Sequence, residues 1–176
     1  MDFGKLYFYT ATIRHWIPIL GQYHLEPIIT ESMEFLHIRE CLKVYGFVIM
    51  PNHMHMIMEQ VKLNGKETPI SSLMKYTSHE FEAFLRKHDS SLLKKFRVKW
   101  ESRKINFWQT HPDTFELDNE ETIFQKLNYI HCNPLQEHWS LVKDSVDYLY
   151  SSARFYETGE KNFQFLHDYR DWCPSR

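Results

Sequence analysis

Two histidines separated by a single residue, His53 and His55, are the first candidates for chemistry in this chain. Residues two apart on a β-strand point to the same face, with their Cα atoms about 6.5 Å apart. Two neutral imidazoles placed side by side can bind one divalent metal ion. A half-exposed strand can also carry two histidines as its solvated face, so the spacing alone leaves both interpretations open. Two ligands are too few for a metal site, and others would have to come from elsewhere in the chain.

A tyrosine and an asparagine near position 130 form a second candidate group. The apolar spacing predicts a helix over about 119–132 with a stripe made by Ile123, Phe124, Leu127 and Ile130. At 100° per residue, Tyr129 lies about 150° and Asn133 about 110° from the centre of that stripe. Lys126 is within one turn of Tyr129 and shares its surface. The alternative is a tyrosine at the rim of the packing, with Asn133 only ending the helix before a proline.

Alternating apolar segments predict the strands that would hold the histidines. Residues 5–14 carry aromatic and β-branched side chains on both alternating faces, so we expect a strand in the centre of a sheet. Residues 43–50 and 53–61 flank the turn signal Pro51-Asn52 and predict a hairpin. The histidines would share one face of the second hairpin strand with Ile57, and three methionines (54, 56 and 58) would fill the other. A short strand is also expected over 105–109.

Helical spacing alternates with these strands. Helices are expected to begin at Pro27, at a cap formed by Ser71 or Ser72, and at Asp118, which with Glu121 resembles a capping box; another is expected near 148–156. Residues 90–104 fit a helix or a strand, and we favour the helix. Helices alternating with hairpin-connected strands predict an α+β fold, a mostly antiparallel sheet with helices packed on it.

Composition indicates a globular protein of one domain. The chain has 176 residues, of which 43% are hydrophobic and 16% aromatic, too apolar for a disordered protein. Its three cysteines are far apart and form no CxxC pair, which argues against a disulfide framework or a thiolate zinc site. No apolar run is long enough to span a bilayer. We therefore expect a soluble cytoplasmic protein with no membrane partner.

Charge is segregated along the chain although the net charge is only −2. Six basic residues fall within eleven positions: Lys94, Lys95, Arg97, Lys99, Arg103 and Lys104. An acidic stretch without Lys or Arg follows over 111–122. The basic cluster is either a solvated face or a surface for nucleic-acid phosphates, with Phe96 and Trp100 interleaved for base stacking.

Four blocks of this sequence resemble the REP-associated tyrosine transposases, single-tyrosine insertion-sequence transposases of the HUH (His–hydrophobe–His) superfamily. The blocks are MPNHMH at 50–55, WQ at 108–109, YIHCNP at 129–134 and SSA at 151–153. They occur in the order and approximate spacing of that family. The resemblance implies a transposase domain over 1–156, followed by a C-terminal extension, 157–176, to which it assigns no role.

The resemblance also implies a site and a reaction. His53 and His55 would be the metal ligands, Asn133 a third ligand, and Tyr129 the nucleophile. The cofactor would be Mg²⁺ or Mn²⁺, and the fold a ferredoxin-like or RRM-like sandwich whose sheet carries the HUH strand. The substrate would be single-stranded DNA with a hairpin, cleaved and rejoined through a 5′-phosphotyrosine. We further expect Lys126 to help deprotonate the phenol, whose ordinary pKa is near 10.

Several alternatives stay open at this point. A domesticated protein could bind DNA hairpins without strand transfer, although pure binding would need neither the histidine pair nor the tyrosine. A two-histidine metal hydrolase could instead use water as its nucleophile. The basic cluster becomes a candidate DNA-backbone surface in the transposase interpretation. A homodimer, with the tyrosine acting within one chain or across two, is compatible with the sequence.

Overall fold

The protein is built on a four-stranded antiparallel sheet. The computed structural model describes residues 1–98 and 105–172. The strands are β1 (Leu6–Thr12), β2 (Leu42–Met50), β3 (His53–Gln60) and β4 (Asp113–Leu117), in the order β2-β3-β1-β4. This order is that of a ferredoxin-like split βαβ arrangement. The α+β expectation is confirmed, and β1 is an interior strand, as its apolar residues on both faces predict.

Helices cover both faces of the sheet. They are α1 (Ile19–Tyr23), α2 (Glu26–Ile38), α3 (Pro69–His88), α4 (Ser90–Leu93), α5 (Glu120–Cys132) and α6 (Ala153–Thr158). Helices α2 and α3 pack on the face formed by Tyr7, Tyr9 and the three methionines of β3. Helix α5 packs on the opposite face, against Leu6, Phe8 and Ile57. The two faces therefore have separate apolar cores.

The predicted hairpin places the histidines as expected. Strands β2 and β3 pair from Leu42↔Gln60 to Met50↔His53, and β3 pairs with β1 through Thr12↔His53 and Thr10↔His55. Both histidines thus lie on the α5 side of the sheet, together with Ile57. The prediction that the histidines and the methionines point to opposite faces of this strand is confirmed.

Four local predictions differ from the structure. Strand β4 was not predicted, because the exposed acidic sequence DTFEL has only two apolar residues and becomes a strand through pairing with the free edge of β1. Residues 105–109 form isolated bridges to Ile13 and Arg97, not a strand. The cap of α3 is Thr68, three or four residues before the predicted Ser71 or Ser72, and the cap of α5 is Asn119, one residue after the predicted Asp118. The helix expected over 90–104 ends at Leu93 and continues as a 3₁₀ turn to Phe96.

The C-terminal residues cover the outer edge of the sheet. The amide of Ile49 donates to Tyr150 O, and that of His167 donates to Val44 O, so two separate segments pair with β2. Phe165 is buried against Phe47 in the α2/α3 core. An unpaired edge strand is prone to pairing with other chains, and residues beyond 156 contribute to its protection here.

Within the parts of the chain that the structure describes, no helix is both long enough and apolar enough to cross a membrane.

Candidate active site

A cleft of about 980 Å³ opens on the α5 side of the sheet. Its floor is formed by β1 and β3, through Phe8, Thr10, Thr12, His53 and His55. Strand β4 forms one wall, and the last turns of α5 with the segment 133–139 form the other. The cleft exists because α5 covers the sheet around Ile57 and ends before it covers the start of β3.

His53 and His55 lie side by side in this cleft, with ring centroids 4.9 Å apart. The Nδ1 atom of His53 is 2.7 Å from Asn52 Oδ1, and since an amide oxygen only accepts, this nitrogen carries the proton. The Nδ1 atom of His55 is 2.8 Å from the hydroxyl of Thr10. Hydrogen bonds that fix one ring nitrogen orient the other, Nε2, for metal binding. Each ring is therefore fixed in orientation by a hydrogen bond at its Nδ1 atom.

Burial keeps both imidazoles neutral. It lowers the pKa of His53 to about 4, with a further contribution from the charge of His138. It lowers the pKa of His55 to about 3, with contributions from His53 and Lys126. Both rings are uncharged at neutral pH, and only the uncharged ring can bind a metal through nitrogen.

Tyr129 reaches the histidines from the same chain. Its side chain is 49% exposed, as its position off the apolar stripe predicts. Its ring lies edge-on to that of His55, with centroids 5.3 Å apart. The close approach depends on Gly46 in β2, where an added Cβ would lie 3.2 Å from Ile130 Cδ1 and 3.3 Å from Leu127 Cδ2. A glycine at this point lets α5 lie low on the sheet and carry Tyr129 to the cleft.

Lys126 is held by aromatic rings beside the tyrosine. Its Nζ atom lies 4.6 Å from the ring centroid of Phe115, 5.0 Å from that of Phe8 and 5.8 Å from that of Tyr129. The Phe8 and Phe115 rings are stacked on each other. Cation–π attraction to rings of this kind fixes an ammonium group at low conformational cost. A positive charge is thus placed next to the phenol.

The donor set is compatible with a divalent metal ion. Asn133 is buried at the end of α5 and lines the same cleft as the histidines. Among residues 1–98 and 105–172, no cluster of three His, Cys, Asp or Glu residues is suitable for a metal. Asn133 is the predicted third ligand, and it lies in the same cleft as the two histidines. Two imidazole nitrogens with one amide oxygen would suit Mn²⁺ better than Mg²⁺ on ligand softness.

The basic cluster is only partly described. Lys94, Lys95 and Arg97 are exposed and lie outside the cleft lining. Phe96 is buried against Phe107, with ring centroids 4.6 Å apart, so its predicted role in base stacking is wrong. Lys99, Trp100, Arg103 and Lys104 lie outside the described residues. The cluster's role in DNA binding stays a prediction.

Sequence reasoning missed several cleft residues. Asn52 was interpreted only as a turn residue, and Trp16 was not singled out. His111 and His138 also line the cleft, and no feature of the sequence singles them out. Trp139 also lines it, with its ring 6.0 Å from that of His53. The Pro-Asn dipeptide directly before the histidines was the one available signal, because a side chain in that turn lies next to them.

The fold of this protein is similar to those of other solved structures. A solved structure of a REP-associated tyrosine transposase bound to a REP hairpin superposes on 99% of this chain and 93% of its own, with a TM-score of 0.60 and 17% sequence identity. The chain has the fold of a REP-associated tyrosine transposase. A protein from Deinococcus radiodurans assigned as a transposase aligns over 71% of this chain and 87% of its own (TM-score 0.42, 14% identity), too weakly to bear on function.

No protein-family model and no curated protein sequence matches the chain. The transposase fold expected from the four sequence blocks is therefore supported by structure at an identity where sequence comparison finds nothing. At 17% identity the likeness establishes the fold alone. What the individual cleft residues do has to be argued from their own geometry.

Proposed function

We propose that this protein is a metal-dependent transposase of the REP-associated tyrosine family, which cleaves and rejoins single-stranded DNA through a 5′-phosphotyrosine. The observation that carries the proposal is the meeting of His53, His55 and Tyr129 in one cleft of one chain. A metal-ligand pair beside an exposed phenol is the minimum set for metal-assisted tyrosine cleavage. A partner chain is not needed to bring these three residues together.

A divalent ion is proposed to bind between His53 and His55, with Asn133 as the third protein ligand. When bound, Mg²⁺ or Mn²⁺ would neutralise charge on the scissile phosphate as the transition state forms. The hydrogen bond that His53 donates to Asn52 and the one between His55 and Thr10 keep the two rings in place before the substrate arrives. The protein therefore needs little reorganisation at the moment of reaction.

The nucleophile is the phenolic oxygen of Tyr129. It attacks phosphorus, a Tyr–O–P bond forms, and the bond from phosphorus to the 3′ oxygen breaks with its electron pair on that oxygen. The proton lost from the phenol ends on the resulting 3′-OH. Rejoining reverses these steps when a 3′-OH attacks the phosphotyrosine, and the conserved bond energy makes ATP unnecessary.

Lys126 is proposed to favour the phenolate form of Tyr129. The Lys126 ammonium lies 5.8 Å from the centroid of the Tyr129 ring, and a nearby positive charge stabilises negative charge that develops on a phenolic oxygen. Replacing Lys126 with Met keeps most of the length of the side chain and removes the charge. We expect cleavage by Lys126→Met to need a higher pH than in the wild-type protein. An unchanged pH profile would remove Lys126 from the mechanism.

Hairpin DNA is the proposed substrate. The transposase with the same fold is bound to a REP hairpin in its solved structure. The open cleft in this protein is lined by aromatic and polar side chains, as expected for a site that receives an unpaired strand.

Trapping a covalent adduct tests the proposal. A labelled DNA hairpin with single-stranded flanks is incubated with the protein and Mn²⁺, and an SDS-resistant protein–DNA adduct is expected. Tyr129→Phe should abolish the adduct, and chelation of the metal should prevent it. Tyr148→Phe is the matched control, since its hydroxyl donates to Ile49 O within the fold and should leave the adduct intact.

The other outcomes separate the alternatives. Hairpin binding with no adduct in the wild-type protein would favour a domesticated binding protein. DNA cleavage that survives Tyr129→Phe without any adduct would favour a hydrolase that uses water. An adduct that persists in Tyr129→Phe would mean that the nucleophile has been assigned wrongly.

A further inference from the structure

A turn at the mouth of the cleft, Arg14–Trp16, carries an exposed tryptophan. Trp16 is 59% exposed, yet it lines the cleft with its ring 6.3 Å from that of His53. The backbone φ is +60° at His15 and +57° at Trp16. Two successive side-chain-bearing residues in the left-handed region are costly and persist where the surroundings enforce them, commonly at functional sites. The turn therefore holds an apolar ring in solvent at a cost in backbone strain.

Contacts from the sheet hold this turn in place. The Trp16 carbonyl accepts a hydrogen bond from Asn52 Nδ2 at 3.1 Å, and the Ile13 amide donates to Asn52 O at 2.8 Å. The Arg14 amide donates to Phe107 O at 2.7 Å. Asn52 also accepts from His53 through its Oδ1 atom. One asparagine side chain thus connects the tryptophan turn directly to a proposed metal ligand.

The surroundings of Trp16 suit a nucleic-acid strand. A second cavity of about 300 Å³, lined by Arg14, His15 and Gln109 among others, adjoins the main cleft and shares Gln109 and His111 with it. An Arg side chain can neutralise a backbone phosphate, and an exposed indole offers a face on which any base can stack. The guanidinium group of Arg14 and the exposed indole of Trp16 thus belong to residues only two positions apart.

We propose that Trp16 is the stacking platform for a nucleobase of the single strand that runs into the cleft, with Arg14 binding the phosphate backbone next to it. The proposal rests on the proposed function for the identity of the ligand as single-stranded DNA. Because Asn52 contacts both Trp16 and His53, stacking at Trp16 places the neighbouring phosphate in a fixed relation to the histidine pair. Trp16 is thus a positioning residue for the cleavage reaction.

Binding of two DNA strands that differ only in their bases tests this inference. The probes are fluorescein-labelled dT12 and an abasic strand with the same number of phosphates, measured by anisotropy with the metal chelated so that no cleavage occurs. The wild-type protein should bind dT12 more tightly. Trp16→Ala should weaken dT12 binding about ten-fold or more and leave the abasic strand unchanged, whereas Trp16→Phe should keep most of the preference. Arg14→Gln should weaken both strands and reduce the salt dependence.

Phe35→Ala is the control, since Phe35 is a comparably exposed aromatic residue on α2, away from the cleft. It should change neither affinity. Three results would each overturn the inference. Trp16→Ala could lower the affinity for both strands equally, or lower neither affinity. The wild-type protein could also bind the two strands with the same affinity. Adduct formation with the labelled hairpin, measured on the same protein preparations after Mn²⁺ is restored, keeps the two proposals apart. An adduct with unaltered dT12 binding in Trp16→Ala refutes the stacking role alone, and base-selective binding without any adduct refutes the chemistry alone.

Discussion

The two faces of β3 have opposite environments although they belong to one strand of eight residues. On one face, Met54, Met56 and Met58 are fully buried under α2 and α3. On the other, Ile57 is buried under α5, but His53 and His55 border an open cleft. The first face is covered along the whole strand, and the second only along half of it. Because α5 covers only part of this face, the side chains of His53 and His55 remain accessible from the cleft.

This difference indicates how a small fold accommodates a polar site. The histidines are nearly as buried as the methionines, yet each has a hydrogen-bond partner on the protein side and a free nitrogen for the cleft. Burying polar groups without partners would destabilise the fold. Each face should therefore respond to mutation in its own way, one in function and the other in stability.

Removing a histidine should have the largest effect. Mutation of a residue that merely supports a metal ligand typically lowers affinity 10- to 100-fold, so His55→Ala should lower Mn²⁺ affinity by more than about 100-fold. Loss of the metal's charge stabilisation should reduce adduct formation on the order of 10³-fold. Isothermal titration with Mn²⁺ and the adduct assay measure the two effects. Unchanged Mn²⁺ affinity in a folded His55→Ala protein would contradict metal binding by this pair.

Truncating a methionine on the opposite face should act on stability instead. Met56→Ala removes a fully buried side chain next to Phe47 and Tyr9, and such changes cost about 2–5 kcal/mol in the free energy of unfolding. Urea unfolding measures the loss. Adduct formation per folded molecule should stay near the wild-type level. If His55→Ala destabilised the metal-free protein as much as Met56→Ala, the contrast between the two faces would not hold.

Acid should destabilise the protein through its buried histidines. Burial lowers the pKa of His131 to about 4, and those of His53 and His55 to about 4 and 3. In the unfolded chain these groups titrate near 6.5. Below that pH the unfolded state binds more protons, so stability is complete above about 6.5 and is lost as the pH falls towards the folded-state values.

His131 isolates one part of this effect. It lies on α5 itself, buried outside the cleft lining, with its Nε2 atom 2.8 Å from the Ser152 hydroxyl. Each such histidine contributes about 1.4 kcal/mol per pH unit between the two pKa values. Urea unfolding of the metal-free protein at pH 5–6 should show a slope for His131→Gln that is smaller by about that amount. An identical slope would mean that His131 titrates normally in the folded state.

The smallest effect is expected on the surface outside the cleft. Lys94→Ala combined with Lys95→Ala should reduce the slope of log affinity for single-stranded DNA against log salt by about 1.4, if each lysine neutralises one phosphate. Lys62→Ala with Lys66→Ala is the control pair, in the loop at the opposite end of β3 from the histidines. An unaltered slope in the first pair would make the basic cluster a solvated face.

Much of the fold could be predicted because its signals are local. The alternation in β1, the Pro51-Asn52 turn and the helical stripe of α5 depend on neighbours in the sequence, and each gave an element close to its observed bounds. Strand β4 could not be predicted in the same way. It has too few apolar residues to indicate a strand by itself, and it exists because β1 offers a free edge.

The arrangement of the candidate site could likewise be predicted only in part from the sequence. Strand periodicity by itself put His53 and His55 on one face, and helix periodicity put Tyr129 outside the core, because side-chain direction follows directly from backbone geometry. The tertiary structure alone decided that these faces meet and that Asn133 is buried. It also decided that Asn52 contacts Trp16, 36 residues before it in the sequence, as well as His53. Those contacts join segments that are far apart in the sequence, and sequence separation does not indicate distance in space. The segments meet because α5 packs over Gly46 and because β1 pairs with β3.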